Sequence, residues 1–187
     1  MTYYAGVGSR ETPPEILARM TRISTALSSV AILRSGAAVG ADTAFENGAE
    51  FREIFLPWRG YNGSDSSLYI GNKNEIPESY VTRAMNIVSS THPRPSALSY
   101  GALKLHARNV FIILGKNLNN PVRFCICWTK GGKVIGGTGM AIRICNLNRI
   151  PVFNLADPDY STDERLIEDL PLSYADISNA IDHLPLK

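Results

Sequence analysis

Three glycine-containing segments lie where a predicted strand hands over to a predicted helix: Gly6-Val7-Gly8-Ser9-Arg10, Ser35-Gly36-Ala37-Ala38-Val39-Gly40-Ala41-Asp42, and the stretch from Gly131 to Gly139, GGKVIGGTG. Glycine admits positive φ and close backbone approach, and a helix N-terminus offers unpaired N–H donors at the positive end of its dipole, so such turns suit phosphate. One of them alone is a routine chain reversal. Three in one parallel α/β domain converge, because ligands there collect outside the carboxyl ends of the strands. Asp42 would serve a ribose hydroxyl or fix its own loop, and Arg108 would serve phosphate.

The same letters exclude other chemistries. No Gly-Lys-Ser/Thr closes any of the turns and none completes GxGxxG, so neither P-loop ATP hydrolysis nor hydride transfer from a nicotinamide is indicated, and no cofactor is expected. Cys125 and Cys127 alternate on one face of an apolar strand without a Cys-x-x-Cys partner, and His92, His106 and His183 are scattered. No metal site is expected; the cysteines read as core packing, and His106, next to Arg108, could approach the ligand but reads better as a packed or surface helix residue.

The elements that must position these turns alternate in βαβ fashion over residues 1–155, the signature of a doubly wound, mainly parallel α/β sheet with helices on both faces. Five core strands are expected: Tyr3 to Val7, Val30 to Leu33, Glu53 to Leu56, Val122 to Trp128 and Pro151 to Leu155. Thr12, Pro13, Pro14 and Glu15 mark a helix start in capping-box spacing, with Ile16, Met20, Ile23 and Leu27 as its buried face. Helices are expected at 41–49, from Pro77 to about Ser90, from Ser96 to a stop near Gly115, and at 138–147. Residues 59–75 are rich in Gly, Ser and Asn and read as an excursion or flexible lid; the whole departure from the core spans 59–96. Trp58, just before it, either lines the pocket or caps the core.

The net charge of +2 conceals an asymmetry: residues 156–187 carry eight acidic and two basic side chains, leaving 17 basic and nine acidic in residues 1–155. A basic body of this kind concentrates anionic ligands. The acidic C-terminal extension, with weak helical signals at 162–170 and 174–181, is expected to pack on the same domain. No stretch approaches the roughly 18 apolar residues of a membrane span and no signal-peptide layout opens the chain, so a cytoplasmic location and no membrane partner are expected, with three reduced cysteines.

Residues Leu33 to Ala49 resemble, with spacing preserved, the SGxAxGID…AH…A segment of the DNA-processing protein A family. His106-Ala107-Arg108-Asn109 resembles that family's Arg-Asn element. Gly136-Gly137-Thr138-Gly139 sits where that family and the Lonely Guy phosphoribohydrolases place a phosphate loop. Together these resemble the SLOG superfamily of Rossmann-like nucleotide-binding domains over roughly residues 1–155. The resemblance implies a homo-oligomer, a dimer, and a nucleotide-derived small molecule, for instance a cyclic or ADP-ribose signalling nucleotide. With Gly6, Ala37, Gly40, Thr43, Trp58 and Trp128 added from the flanking segments, the expected binding set is Gly6, Gly8, Ser9, Arg10, Ser35, Gly36, Ala37, Gly40, Asp42, Thr43, Trp58, Arg108, Trp128, Gly136, Gly137, Thr138 and Gly139.

Departures from the pattern bear on catalysis. The glutamate that follows the glycine loop in the Lonely Guy hydrolases is absent, since Met140 to Arg143 follow here, and Ala107 replaces an acid before the arginine. Cleavage of an N-glycosidic bond would therefore need Asp42 or Glu46 from the neighbouring loop. The third reading, a single-stranded DNA binder, would use Lys104, Arg108, Lys116, Arg123, Lys130 and Lys133 as a backbone strip, with Tyr69, Trp58 or Trp128 stacking on bases.

Overall fold

A computed structural model describes residues 1–185. Five strands, β1 (Thr2–Gly8), β2 (Ala31–Ser35), β3 (Arg52–Ile54), β4 (Phe124–Trp128) and β5 (Val152–Asn154), form one sheet in the order β3-β2-β1-β4-β5. Every pairing is parallel. This is a Rossmann-like doubly wound α/β fold. The chain winds outward from β1 through β2 to β3, then returns to β4 on the other side of β1, so the topological switch point lies between β1 and β4.

Strand residues alternate between two cores. Ala5, Val7, Cys125 and Cys127 face one layer, made by α3 (Glu78–Thr91), α4 (Tyr100–Leu114) and α5 (Gly136–Leu147). Tyr4, Leu33, Phe124 and Ile126 face the other, made by α1 (Pro14–Leu27), α2 (Ala41–Gly48), α6 (Asp163–Asp169) and α7 (Tyr174–Asp182). A sheet covered on both faces favours apolar residues on both sides of a strand, which is why β4 reads as the unbroken run FCICW, buried throughout. Cys125, Cys127 and Cys145 are free and buried in the first core. The α6–α7 segment is tied to α1 by Asp163, which accepts from Arg19 Nε at 2.7 Å and Arg22 Nε at 2.9 Å.

Two local expectations are corrected, and one open alternative is narrowed. The capping box before α1 does not form: Pro13 is the N-cap and offers no side-chain acceptor, and the Thr12 hydroxyl donates instead to Ser9 O at 2.7 Å. The fourth helix begins at Tyr100, capped by Ser99, because Pro95 to Ala97 close a separate 3₁₀ turn. Residues 59–75 are a packed excursion: Tyr61 and Ile70 are buried, Ser66 Oγ donates to Ile54 O at 2.6 Å, and Asn62 Nδ2 donates to Ala37 O at 2.8 Å. Leu56 and Tyr69 form a bridge that prolongs the β3 edge.

Candidate functional site

A cavity of about 520 Å³ opens at the carboxyl edge over the switch point. Its floor is the β1 turn, Gly8 to Glu11, beside Thr129 and Lys130 after β4. Ser9 N donates to Trp128 O at 3.2 Å, which locks the two strand ends together. Thr129 is oriented from β5, where Asn154 Nδ2 donates to its Oγ1 at 2.8 Å.

One wall is α4. Ala102, Leu105, His106 and Asn109 line the cavity at i, i+3, i+4 and i+7, the spacing of a single helix face. Asn109 Nδ2 donates to Gly137 O at 3.0 Å and so holds the α5 entry against this wall. The first intrahelical bond of α5 is Gly139 N to Ile135 O at 2.9 Å, and the N-cap Ile135 has no side-chain acceptor. The amides of Gly136, Gly137 and Thr138 therefore precede the helical ladder, and all three residues line the cavity.

Arg108 lies deeper and is almost fully buried. Its Nη1 donates to Asp42 Oδ2 at 3.0 Å, while its Nε is buried without a partner. Asp42, in the first turn of α2, also accepts from Ala38 N at 3.3 Å. Burial raises the Asp42 carboxyl above its ordinary value, against the opposing pull of the Arg108 guanidinium and the Ala38 amide. Arg10 and Arg108 both approach Tyr61: Arg10 Nη2 donates to its hydroxyl at 3.4 Å, and the Arg108 guanidinium lies 5.9 Å from the ring centre.

Of the expected binding set, Gly8, Ser9, Arg10, Asp42, Arg108, Gly136, Gly137 and Thr138 line this one cavity. The rest do not, and each has a structural occupation. Gly6 passes beneath Phe45, whose ring would lie 2.5 Å from an added Cβ. Ser35 Oγ donates to Gly6 O at 2.7 Å, and Gly36 makes room for Arg108. Gly40, at φ +97, lets the second turn pass the Ser9–Arg10 backbone, and Gly139 faces Val134. Trp128 contributes its carbonyl while its side chain sits in the core, and Trp58 packs edge-on against Tyr61 with centroids 5.2 Å apart.

Ala37, Thr43 and Glu46 line a second cleft of about 570 Å³ between α2 and the excursion. Glu46 Oε1 accepts from Ala37 N at 2.8 Å, fixing the φ +57 conformation of that residue. Burial, reinforced by the neighbouring Asp42 charge, pushes its carboxyl up to about 7. The basic residues do not form one strip: Lys130 stands at the rim of the main cavity, whereas Arg123, just before β4, lines a cleft with Met1 and Thr2 at the opposite edge.

Sequence reasoning did not find Tyr61, Ala102, Leu105, Asn109 and Thr129 as cavity residues. The i, i+3, i+4, i+7 face of α4 was the available signal for Ala102, Leu105 and Asn109; Tyr61 carried none, because it reaches the site through the excursion. No helix among the described residues is long and apolar enough to cross a membrane, and no group of three or more metal-ligating side chains occurs among them. Compared with protein-family models, with curated proteins and with solved structures, the chain matches none.

Proposed function

We propose that the switch-point cavity binds a nucleotide or a nucleotide-derived small molecule, with its phosphate groups against the β1 turn and the α5 entry. The observation that carries the reading is the buried Arg108 guanidinium, with one donor unpartnered, in the wall of a cavity that also presents the Ser9 and Gly136–Thr138 turns. A guanidinium in the wall and the amides of Gly136, Gly137 and Thr138, which precede the helical ladder in the same lining, are a donor set suited to phosphate. Arg10 and Lys130 add cationic charge at the rim. The resemblance to SLOG domains, which implies a dimer as well, points the same way. Thermal melting across a panel of nucleoside phosphates tests it: a ligand at about 100 times its Kd adds roughly 2.7 kcal/mol of stability. A folded protein that no member of the panel stabilises would overturn the reading.

A hydrolytic reading is favoured by one observation, the Glu46 carboxyl held near 7, where proton transfer at neutral pH is efficient. Glu46 opens into the second cleft, and Asp42 is committed to Arg108 and Ala38, so binding remains the better-supported activity. Release of free base from a nucleoside monophosphate, lost in Glu46→Gln or Asp42→Asn, would establish hydrolysis instead. Single-stranded DNA binding has the weakest footing, because its basic residues are divided between opposite edges of the sheet.

A further inference from the structure

We infer that the ligand's planar heterocycle seats against the α4 wall formed by Ala102, Leu105 and His106, and that the His106 imidazole reads its edge and so sets which base the cavity accepts. This rests on the nucleotide reading above and adds to it the position of the base and the residue that selects it.

The two halves of the cavity differ in chemistry. Phosphate donors lie on the floor and at the α5 entry, whereas the face of α4 toward its N-terminus offers Ala102 and Leu105. Leu105 packs in one apolar cluster with Tyr61, itself a cavity residue, so a continuous apolar surface runs from α4 to the excursion. Flat aromatic rings bury against such surfaces, and every base has an apolar face. A cavity of about 520 Å³ is also far more than a bare phosphate fills.

His106 is the titratable group of that apolar wall. Its Nδ1 has no protein partner, although buried polar atoms are nearly always hydrogen-bonded. The neighbouring His92 does not supply the missing bond. Its ring lies 5.0 Å away centre to centre, tilted by 49°, and its own Nδ1 accepts from Arg94 N at 3.1 Å. His92 thus packs behind His106 and holds it in the wall. A half-turn of the imidazole exchanges ring nitrogen for carbon at either side, so a nitrogen can face the bound ring. Burial, together with His92, Arg108 and Arg143, lowers the affinity of His106 for a second proton, and a neutral imidazole offers both a donor and an acceptor.

Asn109, one turn further along α4, is already engaged by Gly137, and Arg108, which gives one donor to Asp42, belongs to the charged half of the cavity. The wall therefore separates the labour: Arg108 and the turns bind charge, and His106 discriminates.

The experiment is equilibrium titration of the full chain with purine and pyrimidine nucleoside mono- and diphosphates, and with ribose 5-phosphate and pyrophosphate as base-free probes. The wild type is expected to bind a subset of the nucleotides at least about tenfold more tightly than ribose 5-phosphate. His106→Leu is expected to remove most of that preference, leaving ribose 5-phosphate affinity unchanged, and His106→Asn to keep or re-order it. Imidazole nitrogen resonances of His106 are expected to shift with the preferred nucleotide and to stay in place with pyrophosphate. If His106→Leu folds and ranks the bases as the wild type does, or if the imidazole resonances ignore the nucleotide, the inference is wrong while nucleotide binding stands. If no nucleotide binds at all, both fail together.

Discussion

The guanidinium of Arg108 lies across the backbone of Gly36, so that a Cβ built at Gly36 would sit 1.3 Å from Nη1. Glycine at the end of β2 is thus needed for a side chain that arrives from α4, on the far side of the fold, to reach Asp42. Gly36→Ala is predicted to expel the guanidinium and break the Asp42 contact. Overpacking of this kind typically costs about 1–3 kcal/mol. A double-mutant cycle of Gly36→Ala with Arg108→Ala checks the cause, because residues in contact couple by about 0.5–3 kcal/mol whereas independent sites add. Additive losses in denaturant melts would show that the two positions do not communicate.

Arg108 and Asp42 are both buried, and deleting one member of such a pair strands the other charge, at a typical cost of about 3–5 kcal/mol. Arg108→Met is therefore predicted to be strongly destabilising, and Asp42→Asn in the same chain to restore part of the loss by removing the stranded carboxylate. Chemical denaturation of the two single variants and the double variant measures this. A double variant weaker than the sum of its parts would refute the pairing.

Glu46 gives a pH dependence of defined sign. Its folded-state carboxyl is raised to about 7 from 4.5, chiefly by burial, so the folded protein holds this proton more tightly than the unfolded chain. Stability is highest below the unfolded value and falls as pH rises through about 7. Glu46→Gln, which keeps an acceptor for Ala37 N–H, is predicted to gain about 1–2 kcal/mol over the wild type at pH 8, allowing for the part of the side chain that water screens. The gain should vanish at pH 4. Thermal melts at the two pH values would contradict this if the difference were equal at both.

Asp163 anchors the acidic extension. It is 4% exposed in its side chain and accepts from both Arg19 and Arg22, so Asp163→Asn leaves two guanidinium groups facing a neutral amide. The predicted loss is about 2–4 kcal/mol, concentrated in α6 and α7. Amide exchange should rise there first, with β1 and β4 protected; uniform loss of protection across the chain would show that the extension is not held as a separate unit.

The parts of this molecule visible in the residue order are those set by local rules. Buried parallel strands appear as short apolar runs, and FCICW marks β4 within two residues of its bounds. Three glycine turns identify the carboxyl edge because only helix entries and tight approaches demand them. Thr12 and Glu15 misled because the Thr12 hydroxyl has a better acceptor in Ser9 O, a choice made by the turn and invisible in the spacing. The excursion reads as polar because its buried residues are few and far apart: Tyr61 between Gly60 and Asn62, Ile70 at the end of the short run Leu68-Tyr69-Ile70, and Ile76 between Glu75 and Pro77. Glu46 lies one helical turn beyond Asp42, yet the two carboxyls line different clefts; that division depends on where Arg108 and the excursion pack, which are distant in sequence. Gly6 and Trp128 look like binding residues by position, but tertiary packing against Phe45 and within the core claims them.

Titration calorimetry of the wild type and of Arg108→Lys with nucleoside mono- and diphosphates tests the central claim most directly. At least one nucleotide is predicted to saturate one site per chain. Lysine preserves the charge but not the fork that reaches Asp42 and the cavity together, so its affinity is predicted to fall at least about tenfold. Folded wild-type protein that gives no binding heat with any nucleotide, or an Arg108→Lys variant that binds as tightly as the wild type, would contradict it.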